Sequence, residues 1–506
     1  MQASRTIISI AIAALSFSAG LKGQDAQGTI ERLSRSEPLR TAAWSMKAVD
    51  SEGRVLAEHN PDMKLTPASN MKLITTGCAL HSLGKDFRFE TSIGYSGRIV
   101  DGVLEGDLYI IGGGDPTLAT ADSVVLKTDA LFWKWKSAVK AAGIRVIHGR
   151  VIGDGRLFEG HLENTSWEYD DIGTYYASGS SALSFYANAQ DYQVSAGAGP
   201  GAPVNVRTVY PETPWMRFTN YGETGPEGTG NSLYLYTTDL SPYAELRGTF
   251  AVGRKPKTEH FANKFGALTC AYYFWRNLKN TGWEVSGGYA DIDRSGRIRE
   301  GADFSLHEKA ATDLKTIVTT YSPTLDKIAR ETLCRSDNFY AEALLRTMGE
   351  KSSSISVYDS CRVAEAEVLE DICPGISKTF DIADGSGLSR HNFISADTMV
   401  RFLRSMELSP AFPAFVWALP HPGGNGTLAA LLPELPEQIR ARVRMKSGSM
   451  DGVLCYSGYI FPKPDATGKP IVFSLITNNC SVPYQEVRKP LMEIISALVK
   501  TQETEP

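Results

Sequence analysis

The run Thr66-Pro67-Ala68-Ser69-Asn70-Met71-Lys72 decides how this chain is read. Proline suits the first turn of a helix, where its missing N–H costs nothing and its fixed φ is already helical. The residues that follow continue without interruption to Leu83, and Gly84 supplies a stop. The spacing predicts a helix that opens at Ser69 and carries Lys72 one turn later on the same face. At a helix start the backbone N–H groups are unpaired and the dipole favours negative charge. Ser69 there places its own N–H where a tetrahedral oxyanion forms, and the Lys72 amine reaches its hydroxyl. A lysine acts as a base only if its pKa falls, through burial or a second cation nearby.

Two more short motifs follow in order, Ser336-Asp337-Asn338 and Lys446-Ser447-Gly448, the latter followed by Ser449. S-x-x-K alone is weak, and Ser137-Ala138-Val139-Lys140 also fits it. Ser137, however, lies inside an amphipathic pattern (Leu131, Trp135, Val139), where its hydroxyl bonds back to the helix. K-[ST]-G occurs once. Ser336 and Asn338 are two apart in a tight connection, so both face a cleft. Ser336 is suited to relay a proton to the leaving group. Asn338 is suited to hold Lys72 and donate to a substrate carbonyl. Asp337 is expected to point away. Lys446 to Ser449 reads as an edge strand, to which an extended peptide adds by main-chain hydrogen bonds. Gly448 lets a substrate backbone approach. The Ser449 N–H is the expected second oxyanion donor, the Ser447 and Ser449 hydroxyls the expected carboxylate ligands, and Lys446 the second cation. The three motifs in this order mark serine enzymes that react with β-lactams.

Competing chemistries find little support. The chain has eight His and no H-E-x-x-H. It lacks a G-x-S-x-G elbow, and Gly112-Gly113-Gly114-Asp115-Pro116 lacks the lysine of a phosphate loop. The seven cysteines are scattered with no C-x-x-C, which argues against a zinc or redox site. Cys361 with Cys373 and Cys455 with Cys480 are the candidate pairs, and seven buried thiols the alternative. No metal or cofactor is expected. With 506 residues, 42% hydrophobic, 22% charged and a net charge of −5, the chain is an ordinary globular protein and a poor polyanion binder.

Arg5, the apolar run Ile7 to Phe17 and the small residues Ser18, Ala19 and Gly20 read as a secretory signal over residues 1–23. The mature protein is therefore expected outside the cytoplasm, periplasmic or otherwise extracytoplasmic, soluble or peripherally bound to membrane. A hairpin is expected from Trp44–Val49 and Arg54–Glu58 around Asp50–Gly53. At Phe87 the pattern turns to strand-like alternation with recurrent glycine turns. A helix is expected from about His260 to Asn280. From about Ala310 helices return, and the end alternates strands with a final helix from Tyr484. The fold class is thus α+β: an antiparallel sheet with helices, split by a large β-rich insertion. The expected layout is a catalytic first part over 24–86, an insertion over 87–301 with a smaller domain nested near 190–256, and a catalytic second part over 302–506.

Beyond the three motifs, Gly106–Pro116, Asp384-Gly385-Ser386-Gly387-Leu388-Ser389-Arg390 and the loop Leu419–Leu428 resemble stretches of one family. It is the low-molecular-mass class C penicillin-binding proteins, the D-Ala-D-Ala carboxypeptidase/endopeptidase family. The 267 positions between Ser69 and Ser336 match the long insertion of that family. The resemblance implies a penicillin-recognising, transpeptidase-like catalytic domain and a serine DD-peptidase that cleaves peptidoglycan stem peptides and is inhibited by β-lactams. It implies Ser69 as nucleophile and Lys72 as its base. Ser336 and Asn338 form the second element, and Lys446, Ser447 and Ser449 the third. Trp167-Glu168-Tyr169-Asp170-Asp171 resembles the segment whose acid meets the cationic side chain of the stem-peptide diamino acid. Asp171 is the first candidate for that acid and Asp170 the second, and Met450 resembles a residue lining the same pocket. K-S-G in place of K-T-G, and Ser449 for the usual threonine, keep both hydroxyls. The alternatives are a β-lactamase or a non-catalytic cell-wall-binding protein of the same fold.

Overall fold

The computed structural model describes residues 26–122, 125–354, 356–464 and 468–504, so the expected signal segment lies outside the described residues. The chain divides into two compact units. Of the described residues, the first comprises those up to Ser82, Ala329–Asp337 and those from Ala366 onward; the second comprises those within Leu83–Ile328 and Asn338–Glu365.

The first unit is built on a five-stranded antiparallel sheet. Its order is Val55–His59, Ala43–Val49, Ile471–Asn478, Val453–Ile460 and Val443–Met450. The first two strands are the expected hairpin, and Asp50 closes its turn by accepting from the N–H groups of Glu52 and Arg54, both at 2.9 Å. Every residue of Val453–Ile460 and Ile471–Asn478 is buried, because both sheet faces are covered. Alternation sorts their side chains. Met445, Leu454, Tyr456, Phe473 and Leu475 pack with Val487, Leu491, Ile494 and Leu498 of the long helix Tyr484–Thr504. Lys446, Ser457 and Ser474, offset by one, point to the other face. The helix Ala396–Met406 is capped by Ser395, whose hydroxyl accepts from the Thr398 N–H at 3.2 Å.

The second unit holds a seven-stranded mixed sheet running from Leu306–Lys309 at one edge to Lys315–Tyr321 at the other. The helices Thr128–Ala141 and Gly266–Asn280 bury Leu131, Trp135, Phe274 and Leu278 in a core with Ile93, Leu108 and Ile110 from the sheet. Ser137, of the decoy S-x-x-K, lies inside the first of these helices. The expected helix start at His260 differs. Lys257–Ala262 is a strand paired with 189–194, and the helix begins at Gly266, since Thr258 and Phe261 satisfy a ladder before the turn at Asn263. Around 190–256 a separate core gathers Val194, Val204, Leu246 and Phe250.

The sequence placed a join at 301/302. That point lies inside the second unit, because Lys315–Tyr321 pairs antiparallel with Glu90–Tyr95 and completes its sheet. Asn338–Glu365 also belongs to this unit. There the fully buried Arg346 donates to the Ser180 carbonyl at 2.8 Å and lies 5.0 Å from the Phe158 ring. No helix among the described residues is long and apolar enough to cross a membrane. All seven cysteines are free, six buried and Cys480 half-buried.

Candidate active site

The first unit brings together Ser69, Lys72, Ser336 and Lys446. The predicted helix is modified at its start. Ala68–Asn70 forms a 3-10 turn and the α-helix proper runs Met71–Leu83. Ala68 adopts φ +45°, a left-handed conformation costly for a residue with a side chain. Several contacts hold this turn in place. Asn478 pairs with the Thr66 backbone in both directions, at 2.9 and 3.0 Å. The Asn70 amide donates to Ser457 Oγ at 2.7 Å, anchoring the turn to the sheet.

The Lys72 amine, with no exposed surface, lies 2.9 Å from Ser69 Oγ and donates to the Ser386 carbonyl at 2.6 Å. Ser386 belongs to Asp384–Arg390, whose conformation is fixed from within. The buried Asp384 carboxylate accepts from the N–H groups of Gly387 at 2.8 Å and Ser389 at 2.6 Å and from the Asn392 amide at 2.8 Å. Thr75 donates to the Gly385 carbonyl at 2.8 Å, tying the same loop to the helix. Gly387 has φ +81°, and a Cβ there would stand 1.9 Å from the Ala68 carbonyl oxygen. The loop thus grips both the amine and the strained turn that carries Ser69. In the sequence this loop stands out only as a stretch that resembles one of the family, with no role attached to it. Its signal is the string D-G-S-G, an acid followed by glycines that let the N–H groups of Gly387 and Ser389 converge on it.

Ser336 sits between the helices Leu325–Arg335 and Asn338–Ser353 in another left-handed conformation, φ +59°. Its hydroxyl accepts from the Lys446 amine at 2.8 Å. Lys446 also donates to the Ser447 carbonyl and has no exposed surface. Burial, and then the charge of Lys72, push Lys446 well below the usual lysine range. Two buried ammonium groups side by side repel, so the pair favours states with one proton fewer. The loop 419–428 joins these elements. The Thr427 N–H donates to the Cys334 carbonyl at 3.1 Å, and its hydroxyl accepts from Ser447 Oγ at 3.0 Å. Thr427 lies in the family-like stretch Leu419–Leu428, but no role could be read for it there, because that role depends on two elements that meet only in the fold.

Val443–Met450 is the edge strand the sequence predicts. Gly448 serves a purpose the sequence did not suggest. A Cβ there would lie 2.7 Å from the Pro67 carbonyl and 3.0 Å from the Ser69 nitrogen, so the close approach it permits is to the turn that carries Ser69. Ser449 is exposed and Met450 half-buried. Met450 lines a cavity of about 360 Å³ with Ser449, Cys480 and Tyr484.

The second unit carries the remaining candidates. Asn338 opens the helix Asn338–Ser353, and its side-chain amide donates to the Tyr176 carbonyl at 3.0 Å. Asp171 is half-buried and accepts from the Tyr176 hydroxyl at 2.9 Å, while Asp170 is exposed. Burial, and then the Asp171 carboxylate, push the Tyr176 phenol well up, so Tyr176 stays a donor. Asn338 and Asp171 therefore meet on Tyr176, a residue no motif pointed to.

The depressed Lys446 makes a prediction for stability. Between its folded pKa and the ordinary value near 10.5 the unfolded chain binds more protons, so this group adds stability as pH rises through that window. The apolar variant Lys446→Met lacks the dependence. The urea midpoint of the wild type is expected to gain on that of the variant as pH is raised from neutral to alkaline. A wild-type midpoint that falls relative to that of the variant as pH rises would refute the assignment.

Comparison with known proteins adds the following. The model of the D-Ala-D-Ala carboxypeptidase 3 (S13) family matches residues 26–499. A D-alanyl-D-alanine carboxypeptidase of Actinomadura sp. (strain R39) is 27% identical over 490 residues, covering 93% of this chain and 84% of that protein. Penicillin-binding protein 4 of Haemophilus influenzae has a similar fold, with a TM-score of 0.77 at 22% identity over 93% of this chain and 98% of that one. Its complex with a novel β-lactam gives a TM-score of 0.72 at 21% identity, over the same shares of the two chains.

Proposed function

The chain belongs to the D-Ala-D-Ala carboxypeptidase 3 (S13) family, serine peptidases acting on peptidoglycan, and we propose that its acyl-enzyme forms on Ser69. The observation that carries this reading is the buried Lys72 amine, 2.9 Å from Ser69 Oγ and oriented by the Ser386 carbonyl. In its neutral form Lys72 keeps an N–H on that carbonyl and offers its lone pair to the Ser69 proton. Ser69 Oγ attacks the carbonyl carbon between two D-alanines. The N–H groups of Ser69 and Ser449 receive the oxyanion. Collapse of the tetrahedral intermediate breaks the C–N bond. The departing amine takes the proton that Lys72 removed from Ser69, relayed through the Ser336 hydroxyl, which the Lys446 amine holds at 2.8 Å. Water then attacks the ester by the same relay and frees Ser69.

The substrate backbone adds to the free edge at Lys446–Met450, where Gly448 keeps the strand against the nucleophile turn. Ser447 and Ser449 hydroxyls bind the terminal carboxylate. Asn338 holds the substrate amide, and Asp171 accepts the cationic end of the diamino acid, with Met450 contributing the apolar part of that recognition. β-Lactams, as mimics of the D-Ala-D-Ala unit, acylate Ser69. Residues 1–23 direct export, so the enzyme meets its polymer outside the cytoplasm.

Mass spectrometry of muropeptides incubated with the pure protein tests this. Pentapeptides are expected to lose one D-alanine, with cross-linked dimers cut if the endopeptidase action is present. Unchanged pentapeptides and unchanged dimers would overturn the reading.

A further inference from the structure

The second unit presents a surface that the peptidase chemistry does not use. The strands Arg217–Asn220, Ser241–Arg247 and Tyr234–Thr238 form a three-stranded sheet. Residues paired across strands share a face. Leu235 pairs with Leu246, and both are buried in the local core. The opposite face therefore carries Tyr236 beside Glu245, Tyr234 beside Arg247, and Arg217 beside Tyr243.

The rings on this face are organised. Tyr169, from the loop before Asp171, stacks on Tyr236 with centroids 5.0 Å apart and planes 26° apart. Tyr234 meets Tyr236 edge-on, also at 5.0 Å. Across the sheet, Arg247 lies 5.0 Å from the Tyr221 ring and is held by Glu245 at 2.8 Å. Arg217 lies 5.4 Å from the Tyr243 ring and donates to its hydroxyl at 2.8 Å. Tyr169, Tyr221 and Tyr243 are 67%, 54% and 55% exposed, which for aromatic rings collected on one sheet face marks a binding surface.

We propose that this sheet face binds the glycan strand of peptidoglycan. A pyranose offers a flat C–H face and a rim of hydroxyls. The first stacks on phenol rings, and the second hydrogen-bonds to planar guanidinium and carboxylate groups already fixed in position. An apolar protein partner would want aliphatic surface, whereas the positions between these rings are Arg, Glu and Thr. The strand arginines Arg217 and Arg247 can each meet a muramyl carboxylate, which is free wherever a stem peptide has been removed. The stem peptides that this family cleaves hang from that same strand. The loop that presents Tyr169 carries Asp171 two residues later. The inference is separate from the assignment of Ser69 and stands or falls without it.

The test uses the full-length protein and long glycan strands stripped of stem peptides by an amidase, with binding read by co-sedimentation. The wild type is expected to pellet with these strands, less so as salt is raised. Tyr169→Ser combined with Tyr236→Ser is expected to weaken binding at least tenfold, and Arg217→Gln several-fold. Tyr169→Phe, which keeps the ring, is expected to stay within about twofold of wild type. Tyr236 is partly buried, so Tyr221→Ser, at an exposed ring, serves as a second variant, and thermal melting verifies that each protein is folded. Failure of the wild type to bind peptide-free strands overturns the proposal. So do folded variants that bind like wild type, and so does retention by intact sacculi alone, which assigns the affinity to stem peptides. An error about Ser69 would show instead as normal acylation of a Ser69 variant, which this assay does not read.

Discussion

Replacing Ser69 by alanine abolishes covalent labelling by a fluorescent penicillin and lowers D-alanine release by at least about 10³-fold, the scale of losing a nucleophile that acts as one unit with its base. The Ser69 hydroxyl bonds the Lys72 amine, which keeps its contact with Ser386 when the hydroxyl is gone. Folding stability is therefore expected to change by about 1 kcal/mol or less. The proposed oxyanion donors, the N–H groups of Ser69 and Ser449, are backbone groups and survive the substitution, so a D-Ala-D-Ala peptide should still bind without being cleaved. Gel fluorescence after denaturation reads the acyl-enzyme directly. Equal labelling of wild type and variant would place the nucleophile elsewhere.

The second large effect concerns Asp384, a residue that touches no substrate. Its carboxylate accepts three hydrogen bonds at 2.6–2.8 Å in a site with no exposed surface. Asp384→Ala leaves three buried donors unmet, at about 1–3 kcal/mol each before relaxation. We expect it to lose several kcal/mol of stability, and Tm to fall accordingly. Asp384→Asn keeps the shape but turns one acceptor into a donor facing an N–H. It is expected to fold and to be acylated about ten- to a hundredfold more slowly, because the Ser386 carbonyl that orients Lys72 belongs to the disturbed loop. The discriminating measurement is the acylation rate per folded molecule, set beside Tm. A purely structural aspartate would lower Tm and leave that rate alone, and wild-type acylation in Asp384→Asn would remove the positioning role.

The three motifs were legible because their chemistry is local. Lys72 reaches Ser69 along one helical turn, and Ser336 is set by the tight connection that contains it. The hairpin around Asp50–Gly53 and the edge strand at Lys446 were legible for the same reason: their signals are turns and period-two alternation. The supports were not. Thr427 joins Cys334 to Ser447, and Tyr176 joins Asn338 to Asp171, across sequence separations that no local pattern encodes. The join expected at 301/302 fell inside the second unit because Lys315–Tyr321 finds its partner more than 200 positions earlier, at Glu90–Tyr95.

The sequence by itself determined the reaction class and the α+β architecture and named the residues proposed to carry the reaction, because S-x-x-K, S-D-N and K-S-G are short-range geometries written in consecutive residues. Only the tertiary structure decided why the glycine of K-S-G is needed and how the Lys72 amine is held. It also decided that Lys446 is driven well below its ordinary range, by burial and by the charge of Lys72. Each of these depends on burial and on backbone brought close from distant parts of the chain. Pro67 and the Ser69 nitrogen lie under Gly448, Ser386 lies against Lys72, and two lysines share one dry site. Desolvation and Coulomb repulsion act through distance in space, and distance in space is what a linear string does not contain.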